Sequence, residues 1–272
     1  MSSQGVSMTL RDKQRILREN IKKRGSMLIA FSGGVDSTLL AAVSLEVLGE
    51  KSHCILLDSE VVSRTACDQA CQIACELGFQ LEIIRVPLLE HENFCKNPAD
   101  RCYVCKKISS AYLKQRAAEL GLACIADGIN LSDMSEHRPG LAASTEEGIL
   151  HPFIESGITK QDIRNIARDY GLTMWEKPSE ACLSSRIPYG EEITRKKLSA
   201  IEDAEKFLTD RGFEQVRVRL HNTVARIEVC KEDMEKILDI QPAIVKKFRS
   251  IGITYITLDL EGYRSGSLDE VM

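Results

Sequence analysis

Ser32-Gly33-Gly34-Val35-Asp36-Ser37 is the stretch that decides the fold. It follows the apolar run Met27-Leu28-Ile29-Ala30-Phe31, which predicts a buried strand, and it opens the Ala/Leu/Val-rich segment Thr38 to Leu48, which predicts a helix. Without Cβ atoms, Gly33 and Gly34 can take positive φ and let an anion reach the backbone, where free N–H groups and the positive end of the helix dipole meet it. The loop is therefore built to hold phosphate. It is not of the Walker type, which would place a lysine where this loop has Asp36. A carboxylate beside bound phosphate calls for Mg²⁺ between them, so Asp36 is a candidate metal-bridging residue and Ser37 a hydroxyl donor.

Outward from the loop, Thr9 to Lys23 carries Leu10, Ile16, Leu17 and Ile21 among charges, the spacing of an amphipathic helix. His53 to Asp58 and Leu81 to Val86 predict two further strands, with a helix over Ser63 to Leu77 between them. Alternating strands and helices with continuous apolar strands predict a doubly wound parallel sheet, whose ligands lie at the carboxyl ends of the strands. A strand over Ala123 to Ala126 delivers Asp127-Gly128-Ile129-Asn130-Leu131-Ser132-Asp133 to the same edge, where Asn130 and Asp133 either meet the nucleotide or close an Asx turn. His137-Arg138-Pro139-Gly140 continues that loop and offers Arg138 to an anion; Leu150 to Ile154 predicts a short strand, and Thr159 with Asp162 caps a helix to Tyr170.

From Ile193 the pattern changes to a compact α-β-β-α-β unit. Thr194 to Arg211 is helical, Val216 to His221 and Ala225 to Val229 form a hairpin around Asn222-Thr223, Glu232 to Ile251 is helical and Tyr255 to Leu260 is a strand. Arg217, Arg219 and Arg226 alternate with apolar residues, so one strand face carries fork-shaped cations suited to phosphate or carboxylate, or simply faces solvent. Two domains are expected, residues 1–186 and 187–272, the second of α+β class.

A net charge of −4 argues against broad capture of nucleic acid, and no run of about 18 apolar residues or secretory core is present, so a cytoplasmic protein without membrane partners is expected. In a reducing compartment its ten cysteines are buried thiols, ligands or reactive groups rather than disulfides. Cys67, Cys71 and Cys75 on the second helix, with Cys54, Cys124 and Cys230, read as core. Cys102 and Cys105 differ, standing on the loop Asn97 to Lys107 just ahead of a helix whose N-terminus favours thiolate, either as metal ligands or as an incidental pair. Cys182 sits in Lys177 to Gly190, an aperiodic, turn-rich segment of the kind that carries function.

Ser32 to Ser37 resembles the pyrophosphate loop of the N-type ATP pyrophosphatases. Together with Asp127 to Asn130, His137 to Gly140, Cys182 to Gly190, Val216 to Glu228 and Thr257 to Gly266, it makes nearly the whole chain resemble the LarE family of pyridinium biscarboxylic acid mononucleotide sulfurtransferases, which serve the nickel-pincer nucleotide cofactor of lactate racemase. The resemblance implies an enzyme that adenylates a substrate carboxylate with ATP and Mg²⁺, releases pyrophosphate, and replaces AMP by sulfur. It implies Ser32, Gly33, Gly34, Asp36, Ser37 and Asp127 around ATP, Arg217 and Arg219 on the substrate phosphate, and Lys106, Glu205 and Arg264 around the substrate. Cys102, Cys105 and Cys182 together resemble the family branch with a [4Fe-4S] cluster, whose open iron carries sulfide; the other branch sacrifices the sulfur of a lone cysteine, here Cys182. Sulfide or another sulfur donor is then a partner, and a homo-oligomer is expected. The rival readings are a tRNA thiolase, a synthetase fed by glutamine hydrolysis, and a structural zinc protein completed by Cys95.

Overall fold

A computed structural model describes residues 8–135, 139–176, 181–264 and 266–267. Its chain divides into two compact units, each with its own sheet. The first takes the described residues up to Ser59, then 64–86 and 102–176; the second takes 60–63, 87–101 and the residues from Ala181 on. The expected division after Arg186 treated the domains as consecutive pieces, whereas the two short segments 60–63 and 87–101 group with the later part of the chain. Neither carries a composition signal of a domain change, so only three-dimensional packing assigns them.

In the first unit, helix α1 (Leu10–Arg24) leads into β1 (Met27–Phe31), α2 (Val35–Leu48), β2 (Ser52–Asp58), α3 (Arg64–Leu77) and β3 (Leu81–Arg85). Then come α4 (Glu92–Cys95), which belongs to the second unit, α5 (Arg101–Glu119) and β4 (Ile125–Ala126). The four strands are parallel in the order β3-β2-β1-β4, with Met27 opposite Ser52 and Leu28 opposite Ile125. Because side chains alternate across a strand, Leu28 and Ile55 join Leu113 and Ala117 of α5 in one buried cluster, while Met27 on the other face receives Ser44 of α2. The expected parallel α/β sheet is present. Its central position puts the end of β1 and the start of α2 beside the end of β4.

Local differences have simple causes. The segment Leu150 to Ile154 is no strand: Leu150 makes a single bridge to Ala126, and Pro152 then opens helix α7 (Pro152–Glu155), after α6 (Pro139–Glu146). α8 (Lys160–Asp169) starts at the expected Thr159/Asp162 capping box. Cys67 is buried, but Cys71 is only half-buried and Cys75 exposed, since residues eight apart on a helix precess out of a narrow contact face.

The second unit holds α9 (Arg195–Thr209), β5 (Val216–His221), β6 (Val224–Val229), α10 (Met234–Asp239), α11 (Gln241–Ser250) and β7 (Tyr255–Leu258). β5 and β6 pair antiparallel through a turn in which Asn222 has φ of 50°, and β7 adds parallel to β6. The helix expected over Glu232 to Ile251 is two helices, broken at Ile240 because Pro242 cannot supply an N–H in mid-helix and instead occupies the first turn of α11. Leu198, Ile201, Ala204 and Leu208 of α9 and Ile244 and Phe248 of α11 are buried, with Phe207 and Phe248 edge to face at 6.5 Å. No helix among the described residues is long and apolar enough to cross a membrane.

Candidate functional site

The phosphate loop has the form its sequence demands. Gly33 has φ of +75°, and a Cβ there would stand 2.8 Å from Cβ of Ala70, so both conformation and space require glycine. The Ser37 hydroxyl accepts from the Ser32 N–H at 3.1 Å, lies 3.1 Å from the Ser32 hydroxyl, and donates to the Gly34 carbonyl at 3.2 Å. These bonds fix the turn from inside, leaving the N-terminal turn of α2 to an anion. Gly128 backs this turn from β4: a Cβ on it would meet Ser37 N at 2.8 Å and Asp36 C at 2.9 Å.

Asp36 receives the Lys160 ammonium on both carboxylate oxygens, at 2.8 and 2.6 Å. Sequence reasoning missed Lys160. The available signal was a lysine in the first turn of α8, where the helix dipole disfavours a cation unless a carboxylate compensates it. Asp36 is a half-exposed carboxylate, the kind of hard oxygen donor that Mg²⁺ takes, and here it holds the Lys160 ammonium.

Asp127 lies beside this loop and is 4 % exposed. Its carboxylate accepts from Lys106 Nζ at 2.9 Å and pairs with His151 Nδ1 at 2.7 Å; His151 Nε2 lies 3.0 Å from the Thr145 hydroxyl. Burial alone would push the Asp127 carboxyl up, but the His151 hydrogen bond and the Lys106 charge outweigh it and hold it below the usual carboxylate range. Lys106 and Asp127, expected separately, are thus one ion pair, and His151 is a member that the sequence did not disclose. Asn130 and Asp133 close the Asx turn: Asp133 accepts from Asn130 N at 2.9 Å and Asn130 from Ser132 N at 3.0 Å, both residues being buried. His137 and Arg138 lie outside the described residues, as do 177–180 of the cysteine loop.

Cys102 and Cys105 are on α5, not on a loop before it. The helix begins at Arg101, because Arg and Lys are good helix formers even where the apolar periodicity has not started. Cys102 is exposed and Cys105 half-buried. Among the described residues no three His, Cys, Asp or Glu side chains gather closely enough to hold a metal ion. Burial, with Glu192, Glu60 and Glu92 nearby, pushes the Cys95 thiol up.

Cys182, half-buried, opens a single turn over Leu183–Arg186. Its sulfur lies 3.0 Å from the Ser184 hydroxyl, and its carbonyl accepts from Arg186 Nη1 at 3.0 Å and the Ser185 hydroxyl at 2.7 Å. Arg186 is in turn forked onto Glu205, Nε to Oε1 at 2.9 Å and Nη2 to Oε2 at 3.0 Å, while Glu205 Oε1 also accepts from Val218 N at 2.9 Å. Glu205 therefore braces the cysteine loop. This geometry lets it act through Arg186.

The arginine face of β5 and β6 is neither solvated nor wholly open to a ligand. Glu228, 0 % exposed, accepts from Arg219 at 3.0 Å, Arg226 at 3.0 Å and Ser267 at 2.9 Å, and Arg219 also reaches the Ser185 carbonyl at 2.8 Å. Arg217 differs. It donates to the Val216 carbonyl and lies 5.5 Å from the Tyr263 ring centre, with no carboxylate on it; burial, then the Arg186 charge, push it below its usual value. The Glu205 charge acts on it in the opposite sense. Arg264 pairs with Glu261 at 2.7 Å.

The family model for NAD synthase matches residues 9–126. Over 97 % of this chain and 96 % of its own length, the pyridinium-3,5-bisthiocarboxylic acid mononucleotide synthase of Lactiplantibacillus plantarum is 35 % identical. The chain belongs to this synthase family. An uncharacterized protein of Synechocystis is 39 % identical over 97 % of this chain and 99 % of its own, and one of Methanocaldococcus jannaschii 32 % identical over 92 % and 96 %. Membership in this synthase family accounts for a phosphate loop of the ATP pyrophosphatase kind joined to a second unit rich in arginine.

Proposed function

We propose that this chain is a cytoplasmic sulfurtransferase that uses ATP to convert carboxylates of a pyridinium biscarboxylic acid mononucleotide into thiocarboxylates. The observation that carries the reading is the near full-length identity to a synthase named for the bisthiocarboxylic product. The phosphate loop, with Asp36 in place of a Walker lysine, supports adenylation with pyrophosphate release. Ser32, Gly33, Gly34 and Ser37 bind the leaving phosphates, and Asp36 would hold Mg²⁺, whose positive charge neutralises the phosphates when bound. Lys106, held by Asp127, places a cation beside the loop. Arg217 takes the substrate phosphate, with Arg219 fixing the strand from which it projects and Arg264 near the substrate. Cys182 is the sulfur-bearing position, its loop fixed by Arg186 and Glu205.

The test supplies mononucleotide, ATP, Mg²⁺ and sulfide. AMP, pyrophosphate and thiocarboxylate should form together, and Asp36→Asn should stop pyrophosphate release; substrate-independent pyrophosphate release, or none with any carboxylate, overturns the reading. The sulfur source divides into two readings with different observables. A [4Fe-4S] cluster on Cys102, Cys105 and Cys182 requires iron in anaerobically purified protein and repeated turnover at constant protein mass. A sacrificed Cys182 requires one turnover and a protein lighter by one H2S.

A further inference from the structure

Asn97 joins a fully buried position to a left-handed backbone, a combination its own segment does not explain. It is 0 % exposed and has φ of 52°, a left-handed conformation that a non-glycine residue keeps only where its surroundings over-determine it. Its side-chain amide shares two N–H groups among the carbonyls of Ile187 at 3.2 Å, Pro188 at 2.7 Å and Glu191 at 3.1 Å, all in the segment following Cys182. The exchange is reciprocal, because Gly190 N donates to the Asn97 carbonyl at 2.8 Å and Ile193 N to the Cys95 carbonyl at 2.8 Å. On its other side Asn97 Oδ1 accepts from Arg101 Nη1, which also donates to the Ser184 carbonyl at 3.1 Å. Arg101 is 3 % exposed and stacks on Tyr189 at 4.8 Å, its guanidinium spent on carbonyl oxygens and a ring rather than on a carboxylate. A buried guanidinium held this way is expensive unless its fork geometry matters. Ser184 then carries the chain of contacts to the reacting atom, since its hydroxyl lies 3.0 Å from Cys182 Sγ.

We infer that Asn97 and Arg101 are positioning residues for Cys182, acting through the Ser184 backbone to fix where the sulfur points. The assignment rests on the proposal that sulfur is handed over at Cys182, but its geometry does not. Arg101 fixes the residue two places beyond the sulfur, and Asn97 fixes both Arg101 and the far end of the loop, at 187–191. The loop is thus closed at two points by one five-residue segment. Asn is required over Asp because three carbonyls face its amide, and the left-handed backbone excludes a β-branched residue.

The experiment reads Cys182 itself. Alkylation by a small haloacetamide is followed peptide by peptide in the intact protein, with exposed Cys75 on α3 as internal reference. Arg101→Lys keeps the charge and loses the fork. It should raise the Cys182 rate about tenfold, the factor for one lost charge-assisted hydrogen bond, and leave Cys75 unchanged. Asn97→Gly keeps the left-handed backbone without the amide and should act the same way. In a single turnover, both variants should form thiocarboxylate about tenfold more slowly while the pyrophosphate burst at saturating substrate stays within about twofold of the wild-type rate, a split that general loosening does not give. If wild type releases no pyrophosphate, the functional proposal fails and the alkylation arm still judges this one. Equal Cys182 rates in wild type and variants, or parallel rises at Cys182 and Cys75, overturn the inference. Should the variants not fold, hydrogen exchange on wild type decides: the Gly190 and Ile193 amides must be protected, and free exchange at both overturns the clamp.

Discussion

Asp127→Asn probes the buried carboxylate between the phosphate loop and α5. The native residue is 4 % exposed and balances the Lys106 ammonium at 2.9 Å and His151 at 2.7 Å. The amide keeps the shape but removes the charge, leaving the Lys106 ammonium with no carboxylate and the His151 ring nitrogen facing an amide. Breaking a buried pair by removing one partner costs about 3–5 kcal/mol. The Lys106 side chain is 25 % exposed and can regain water, which favours the lower end, about 3 kcal/mol. At about 2–4 °C per kcal/mol for a chain of this size, the melting temperature at pH 7 should fall by roughly 6–12 °C. The pH dependence has a definite sign. The folded carboxyl titrates below its unfolded value near 3.8, so its stabilisation is fully present above that value and is lost as pH falls through the lower folded one. In thermal melts of nucleotide-free wild type and variant between pH 7 and pH 3 the gap should therefore narrow toward the acid end, nucleotide being left out because its binding adds stability of its own. A gap that stays constant down to pH 3, or one under about 1 kcal/mol at pH 7, would refute the assignment of Asp127 as the shared counter-ion.

Gly128→Ala should weaken ATP binding by tenfold or more in a calorimetric titration, because its Cβ would press on backbone atoms of Asp36 and Ser37 that cannot swing aside. Arg217→Ala should raise the mononucleotide dissociation constant about tenfold to hundredfold and leave that of ATP unchanged, the loss of one charge-assisted contact; equal affinities for the mononucleotide would remove Arg217 from its site. Glu205→Gln should lower stability by about 3 kcal/mol in denaturant melts through the unpaired Arg186, and in a single turnover should slow thiocarboxylate formation more than the pyrophosphate burst, since Arg186 holds the Cys182 carbonyl.

The sequence by itself determined those features whose cause is local. The strand Met27 to Phe31, the glycine pair and the helix after it follow from apolar continuity, positive φ and helix dipoles, and they lie where those rules place them. The Thr159/Asp162 cap and the 216–229 hairpin are equally local and equally legible. Family membership was legible too, because motifs spread along the chain keep their order whatever the packing. Tertiary structure decided what depends on partners distant in sequence. Lys160 reaches Asp36 across 124 positions, His151 reaches Asp127 across 24, and Asn97 reaches Glu191 across 94, pairings that neither periodicity nor propensity encodes. The same holds for the arginine face: alternation gave its direction, but only the burial of Glu228 decided that Arg219 and Arg226 are spent on an internal ion network while Arg217 bonds the Val216 carbonyl instead. A side chain's identity fixes what it can bond, and the fold fixes which bonds remain to be made.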